Sequence, residues 1–229
     1  IIYKAINKNT HEIVAVKFLI DRTQRKRFYR EIDTAKQLQH PNFVRFHDTG
    51  EIDGHFYIVM DFIDGIPLKQ YMQKVHLSSE RRLKLFLKII LAVNYAHNCS
   101  IIHRDLKPAN ILVDKTEEPI ILDFGLAKSV IFNDDKTALT IEGQVLGTPG
   151  YMSPEQARGE IENQDQQSDI FSLGIILYEM LTARNPFEGE SYLEVCYNIA
   201  HKTPPNIEKI LPKIPSLLVY IVNKALAKD

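Results

Sequence analysis

The chain has 229 residues, 45% of them hydrophobic and 25% charged, with a formal net charge of −1. That length fits one large domain or two small ones, with enough apolar content to build a core without a disulfide or metal staple. The near-zero charge gives no electrostatic reason to expect nucleic acid as the main partner, and the sequence contains neither a run of 18 apolar residues nor a signal-peptide pattern. Cys99 and Cys196 lie far apart and form no CxxC pair, so two buried free thiols in a reducing cytoplasm are expected. The chain opens inside an apolar run without a methionine and stops just after a helical pattern, as a piece of a longer protein would.

Residues 1–20 read as two β-branched strands, IIYKAI and EIVAVKFLI, around the polar turn NKNTH. Lys17 stands inside the second apolar run. Residues 22–39 read as a helix whose stripe is Phe28, Ile32, Ala35 and Leu38, with Glu31 beside it and a basic solvated face. A hairpin follows, with strands at 43–49 and 55–60 around Ile52-Asp53-Gly54. Asp64-Gly65-Ile66-Pro67 has turn chemistry and marks the expected boundary between a strand-rich part, 1–63, and a helix-rich part, 64–229.

In the second part, residues 68–75 predict a short helix. Ser78-Ser79-Glu80 caps a longer one to Cys99, with Leu83, Phe86, Leu87, Ile90, Leu91, Val93 and Ala96 as its buried face. Loop and short strands are expected over 101–125, and a long polar loop over 126–150. A short helix begins near Pro154, and 168–183 is apolar all round, as a buried helix is. Residues 190–201 predict another helix. Pro204, Pro205, Pro212 and Pro215 then punctuate a loop before a last helix from about 216.

The polar residues that most need a chemical reason lie in IIHRDLKPANILVDKTEEPIILDFG, residues 101–125. Asp105 and Asn110, five apart on a loop, can face one pocket. Asp123 ends a strand-like run two residues before a glycine, where a carboxylate can approach a metal closely. Asn110 and Asp123 offer the oxygen ligands that Mg²⁺ prefers. Asp105 would then be left to orient a hydroxyl and accept its proton, with Lys107 facing a transferring phosphoryl group.

His103-Arg104-Asp105-Leu106-Lys107-Pro108-Ala109-Asn110, Asp123-Phe124-Gly125 and Gly147 to Glu155 (GTPGYMSPE), in that order, resemble the catalytic loop, metal loop and activation-segment end of eukaryotic-like protein kinases. Val14-Ala15-Val16-Lys17 resembles that family's strand lysine motif, and Asp169 with Ser172 and Gly174 its aspartate-bearing buried helix. The resemblance spans essentially the whole chain and is strongest to bacterial Ser/Thr kinases. It implies a bilobal α+β fold, with a small antiparallel β lobe carrying one helix and a larger, mainly helical lobe. It also implies transfer of the ATP γ-phosphoryl group to Ser or Thr hydroxyls of proteins, with Mg²⁺.

By the same resemblance, Lys17 would hold the α- and β-phosphates and pair with Glu31. Ile2, Ala15 and Leu112 would sandwich adenine, and Met60 would be the gatekeeper. The backbone of Asp61 and Ile63 would bond the adenine edge. Asp105 would be the catalytic base, and Asn110 and Asp123 would bind the metal. Lys107 and Thr148 mark a Ser/Thr acceptor. His103 reads as packing with Phe124, and the other histidines as structural or surface. Arg104 before Asp105 implies control by phosphorylation in trans within the activation segment 123–155, at Thr140 first and Thr137 second.

The chain departs from the family pattern in several places. The glycine-rich loop would fall just before Ile1. The spacing from Lys17 to Glu31 is short, and Ala35 is smaller than the family's usual leucine. The arginine that would bury the charge of Glu155 is missing. A buried unpaired carboxylate costs about 3–5 kcal/mol, so residues 1–229 alone are expected to be weakly stable and poorly active. Two other readings fit the residues less well. A pseudokinase scaffold fits poorly with intact Lys17, Asp105, Asn110 and Asp123. Small-molecule phosphotransferases of related fold lack a segment like Gly147–Glu155.

Overall fold

The computed structural model describes residues 1–18, 32, 36, 38–122, 149–160 and 163–228. Four strands form an antiparallel sheet in the order β1-β2-β4-β3: β1 Ile2–Ile6, β2 Ile13–Phe18, β3 Phe46–Ile52 and β4 His55–Asp61. The hairpin β3–β4 closes through Asp53 (φ 50°) and Gly54 (φ 73°), the left-handed pair that matches strand twist. Its first strand begins at Phe46 rather than residue 43, because Phe43 leaves the sheet to bridge Ile121.

A second antiparallel sheet, β5-β6-β7, contains Gly65–Pro67, Ile111–Asp114 and Pro119–Ile121. Gly65–Pro67 is therefore a strand rather than a turn: Gly65 pairs with Asp114 and Pro67 with Leu112. Residues 42–44 stitch this sheet to the chain before β3. Ile121 N donates to Asn42 O at 2.8 Å, Val44 N to Ile121 O at 3.0 Å, and Asn42 Nδ2 to Pro119 O at 2.8 Å. Of the helix expected over 22–39, Ile32 is helical and fully buried, and Lys36 N bonds Ile32 O at 2.8 Å. Leu38 is buried too. Phe28, Glu31 and Ala35 lie outside the described residues.

Among the described residues the helices with full bounds are α1 Leu68–Lys74, α2 Ser79–Asn98, α3 Pro154–Arg158, α4 Gln166–Thr182, α5 Tyr192–His201, α6 Ile207–Ile210 and α7 Ser216–Ala225. Ser78 caps α2 by accepting from Arg81 N at 3.3 Å. The buried face of α2 is Leu85, Phe86, Ile89, Ala92, Val93 and Ala96, while Leu87 and Leu91 are each 53% exposed. The expected stripe was thus rotated: apolar residues surround this helix, and spacing alone cannot choose among stripes. The short α6 was not anticipated; Asn206 caps it inside the proline-rich loop.

Helix α4 is the centre of the second half. Phe171, Leu173, Ile175, Ile176, Leu177, Tyr178 and Met180 are all buried in one core that continues into β6 and β7. Gly174 lets α7 close on it, since a Cβ there would meet Ala225 Cβ and Leu226 Cδ2 at 2.9 Å. Neither cysteine is buried as expected: Cys99 is exposed and Cys196 half-buried, both as free thiols. Among the described residues no helix is long and apolar enough to cross a membrane.

Candidate active site

The loop 103–110 hangs between buried apolar pegs. Ile101 and Leu106 anchor it, and a 3₁₀ turn over Pro108–Asn110 delivers it into β6, whose Ile111 and Val113 are buried. Its polar backbone is held from α4. Asp169, buried near the start of that helix, accepts from His103 N and Arg104 N, each at 2.8 Å, and lies 2.8 Å from His97 Nε2. A desolvated carboxylate with three partners is satisfied, which is what makes its burial tolerable. Arg104 takes a left-handed conformation, φ 64°, which turns the chain so that Asp105 follows.

His103 is 1% exposed, and both ring nitrogens are engaged. Nε2 lies 2.9 Å from Leu122 O, which can only accept, so Nε2 carries the proton. Nδ1 is then the acceptor for Asp105 N at 3.3 Å. The expectation that His103 packs rather than reacts is consistent with this arrangement.

Asp105 Oδ2 receives Lys107 Nζ at 2.8 Å and Asn110 Nδ2 at 3.0 Å. Asn110 Nδ2 also reaches Asp105 O at 2.9 Å, and Asn110 N closes the turn on Lys107 O at 2.9 Å. With the Asn110 amide nitrogen turned to Asp105, its Oδ1 has no hydrogen bond among the described residues and remains an oxygen donor. The Asp105 and Lys107 side chains are 15% and 20% exposed, so they are accessible and poorly screened. The structure therefore brings Asp105, Lys107 and Asn110 together.

The residues expected around a nucleotide are placed by strand register. Ile2 pairs with Lys17, Lys17 with Ile58 and Ala15 with Met60, so Ile2, Ala15, Lys17 and Met60 share one sheet face. Ala15 and Met60 are buried, Lys17 is half-buried and Ile2 is exposed. Leu112 comes from the second sheet, between Pro67 and Ile120. Asp61 N donates to Arg45 O at 3.0 Å, and its carboxylate lies 2.6 Å from His47 Nε2, so its amide is already occupied. Ile63 is half-buried. Glu31, Asp123, Phe124, Thr137, Thr140 and Thr148 lie outside the described residues.

Sequence reading did not foresee how firmly 149–158 is bound to α4. Ser172 Oγ donates to Tyr151 O at 2.7 Å, and Asn185 Nδ2 to Gly150 O at 2.9 Å. Tyr151 hydroxyl donates to Glu179, which also pairs with Lys69 at 2.9 Å. Burial first, and Glu179 second, push the Tyr151 pKa up, so this hydroxyl stays a donor. Glu155 is half-buried and accepts from Ser168 Oγ. It is thus half-buried rather than fully buried, contrary to expectation, and its Ser168 partner is a neutral hydroxyl.

Residues 1–228 match the model of the protein kinase domain. The chain belongs to the protein kinase family. It is 41% identical over 204 residues to the probable serine/threonine-protein kinase PknB of Lactococcus lactis, covering 89% of this chain and 32% of that protein. To the serine/threonine-protein kinase PrkC of Bacillus subtilis it is 39% identical over 205 residues, covering 89% and 31%. The chain thus spans about a third of the length of these relatives. A crystal structure of Rad53 in complex with AMP-PNP aligns with a TM-score of 0.78 at 27% identity, covering 100% of this chain and 57% of that one. The α+β kinase fold implied by the motifs is the fold observed.

Proposed function

We propose that this chain is the catalytic domain of a Ser/Thr protein kinase, transferring the γ-phosphoryl group of ATP to hydroxyls of protein substrates. The observation that carries the reading is the Asp105–Lys107–Asn110 cluster, fixed to α4 through Asp169, in a member of the protein kinase family. Asp105 orients the acceptor hydroxyl and takes its proton through a carboxylate oxygen. Asn110 holds that carboxylate with Nδ2. Lys107 sets a positive charge beside the moving phosphoryl group, where preorganised charge is most effective. Position and electrostatics supply most of the rate in this chemistry, because the transition state is loose.

Asn110 Oδ1 and Asp123 are the proposed Mg²⁺ ligands. An amide oxygen with no hydrogen bond among the described residues fits a hard cation. Bound there, Mg²⁺ would neutralise phosphate charge. On the sheet face, Lys17 binds phosphate oxygens with Glu31 as its partner, Ile2, Ala15 and Leu112 enclose adenine, and Met60 forms the back wall. Asp61 contributes its carbonyl and Ile63 its backbone. Thr148 supports the choice of Ser/Thr acceptors. The division into lobes falls at 63/64, where the four-stranded sheet has ended at Asp61 and the next strand pairs elsewhere. Arg104, with its exposed side chain, would receive a phosphate placed in trans on Thr140 or Thr137. The proposed setting is the cytoplasm, where thiols such as Cys99 and Cys196 stay reduced.

The test is transfer of label from γ-labelled Mg-ATP to a protein substrate by the full-length protein, with phosphoamino-acid analysis and phosphopeptide mapping. Phosphoserine or phosphothreonine is expected, lost in Asp105→Asn and in the absence of Mg²⁺. Turnover equal in Asp105→Asn would refute the assignment of the base. Absence of label in Thr140 and Thr137 would refute the phosphorylation sites.

A further inference from the structure

The peptide plane between Arg104 and Asp105 is gripped at both ends. Its N–H, from Asp105, donates to His103 Nδ1 at 3.3 Å. Its carbonyl, from Arg104, accepts from Gln156 Nε2 at 2.8 Å. Gln156 lies 52 residues away in sequence, on α3, in the segment bound to α4. Its other amide atom, Oε1, accepts from Ser153 N at 3.0 Å, the reach-back half of a capping box at the start of α3. One primary amide thus spends its acceptor on its own helix and the shorter of its two donor contacts on the catalytic loop, the other reaching Gln164 Oε1 at 3.5 Å. The peptide it grips follows the left-handed Arg104. Without a partner on its carbonyl, that plane could rotate and swing the Asp105 carboxylate away from the position set by Lys107 and Asn110.

We infer that Gln156 is a positioning residue for Asp105, coupling the docked segment 149–158 to the geometry of the catalytic loop. This rests on the phosphotransfer reading above. In it, Asp169 fixes the two N–H groups of residues 103 and 104 from α4, and Gln156 fixes the following carbonyl from α3. Loss of contact between α3 and the loop would reduce turnover without touching the nucleotide face.

The amide's two roles can be separated. Gln156→Glu keeps an acceptor for Ser153 N, since glutamate serves equally in a capping box, but removes the donor to Arg104 O. In the full-length protein we expect kcat to fall about five- to tenfold, the worth of one hydrogen bond plus misplacement. KM for ATP should stay at the wild-type value, and the variant should remain fully folded at the assay temperature. Wild-type kcat in Gln156→Glu, or a loss of kcat that matches the loss of folded protein, would overturn the inference. Should Gln156→Glu fail to fold, Gln156→Lys and Gln156→Met serve in its place. Both lack the acceptor, and only lysine retains a donor, so kcat should be higher for lysine; equal values would overturn the inference. Wild-type protein assayed alongside separates the two claims. A wild type without turnover refutes the activity reading and this inference with it, whereas wild-type turnover matched by Gln156→Glu refutes the inference alone.

Discussion

Residues 103–110 are fixed by polar bonds from α4, α3 and their own turn, whereas Ile2, Ala15, Lys17 and Met60 are placed by strand register on a sheet face. In the first region the Asp105 and Lys107 side chains are mostly buried, and the bonds that hold the loop from α4 and α3 are each 2.8 Å. Among the described residues the second ends in β1, whose Ile2, Tyr3 and Ile6 are more than half exposed. The contrast fits the chemistry proposed for the two regions. A proton acceptor must be positioned before substrate arrives, because positional error is charged directly to the barrier. A surface that receives a flat apolar ring needs only the right side chains on one face, and the ligand completes its packing.

If that contrast is right, substitutions in the two regions should separate stability, kcat and KM. The largest stability effect is expected from Asp169→Ala, which strips partners from His103 N, Arg104 N and His97 together. A loss of about 3 kcal/mol in urea unfolding, with kcat falling as well, is expected. A loss below about 1 kcal/mol would mean that the loop is held by something other than α4. Next comes Gly174→Ala, whose methyl group would strike Ala225 and Leu226 and cost about 1–3 kcal/mol. Its effect on kcat should follow only from the folded fraction.

A smaller effect depends on pH. Lys228 Nζ lies over the rings of Phe187 and Phe171, 3.9 and 4.8 Å from their centroids, and donates to Ile199 O. Burial, with Arg158 second, lowers its pKa from 10.5 to about 8. The ring faces favour the ammonium form and oppose that shift. Between pH 8 and 10.5 the unfolded chain therefore binds more protons at this site, and stability rises with pH across that window. Comparing Lys228→Met with wild type at pH 7.5 and 10 isolates the contribution, and an identical pH dependence in the two would refute it. The smallest stability effect is expected on the sheet face. Ile2→Ala, at a residue 58% exposed, should change stability by no more than about 0.5 kcal/mol. It should raise KM for ATP about tenfold at constant kcat. A changed kcat with unchanged KM would erase the distinction between the regions.

The legible parts of the fold were those where one local rule governs. The alternation in EIVAVKF, the Asp53-Gly54 turn, the Ser78 cap and the all-apolar 168–183 each led to an element that is present. Failures came where local rules compete. In α2, apolar residues surround the axis, so Leu87 and Leu91 were assigned to a core they do not reach. Gly65–Pro67 carries turn residues yet pairs as a strand, because β6 offers it partners 45 to 49 residues on. In the site, the meeting of Asp105, Lys107 and Asn110 was legible because the three lie within one short stretch. Gln156 was not, since its bond to Arg104 O spans 52 residues and joins a side-chain amide to a backbone carbonyl, a pairing that leaves no spacing signature.

The central claim is that Asp105 is held ready for proton transfer and does little else. Asp105→Asn in the full-length protein measures it, by single-turnover phosphoryl transfer to a protein substrate alongside urea unfolding. The account predicts a loss of about 10²–10⁴-fold in rate with an unchanged unfolding midpoint. A rate equal to wild type, or a rate loss fully explained by a lower midpoint, would contradict it.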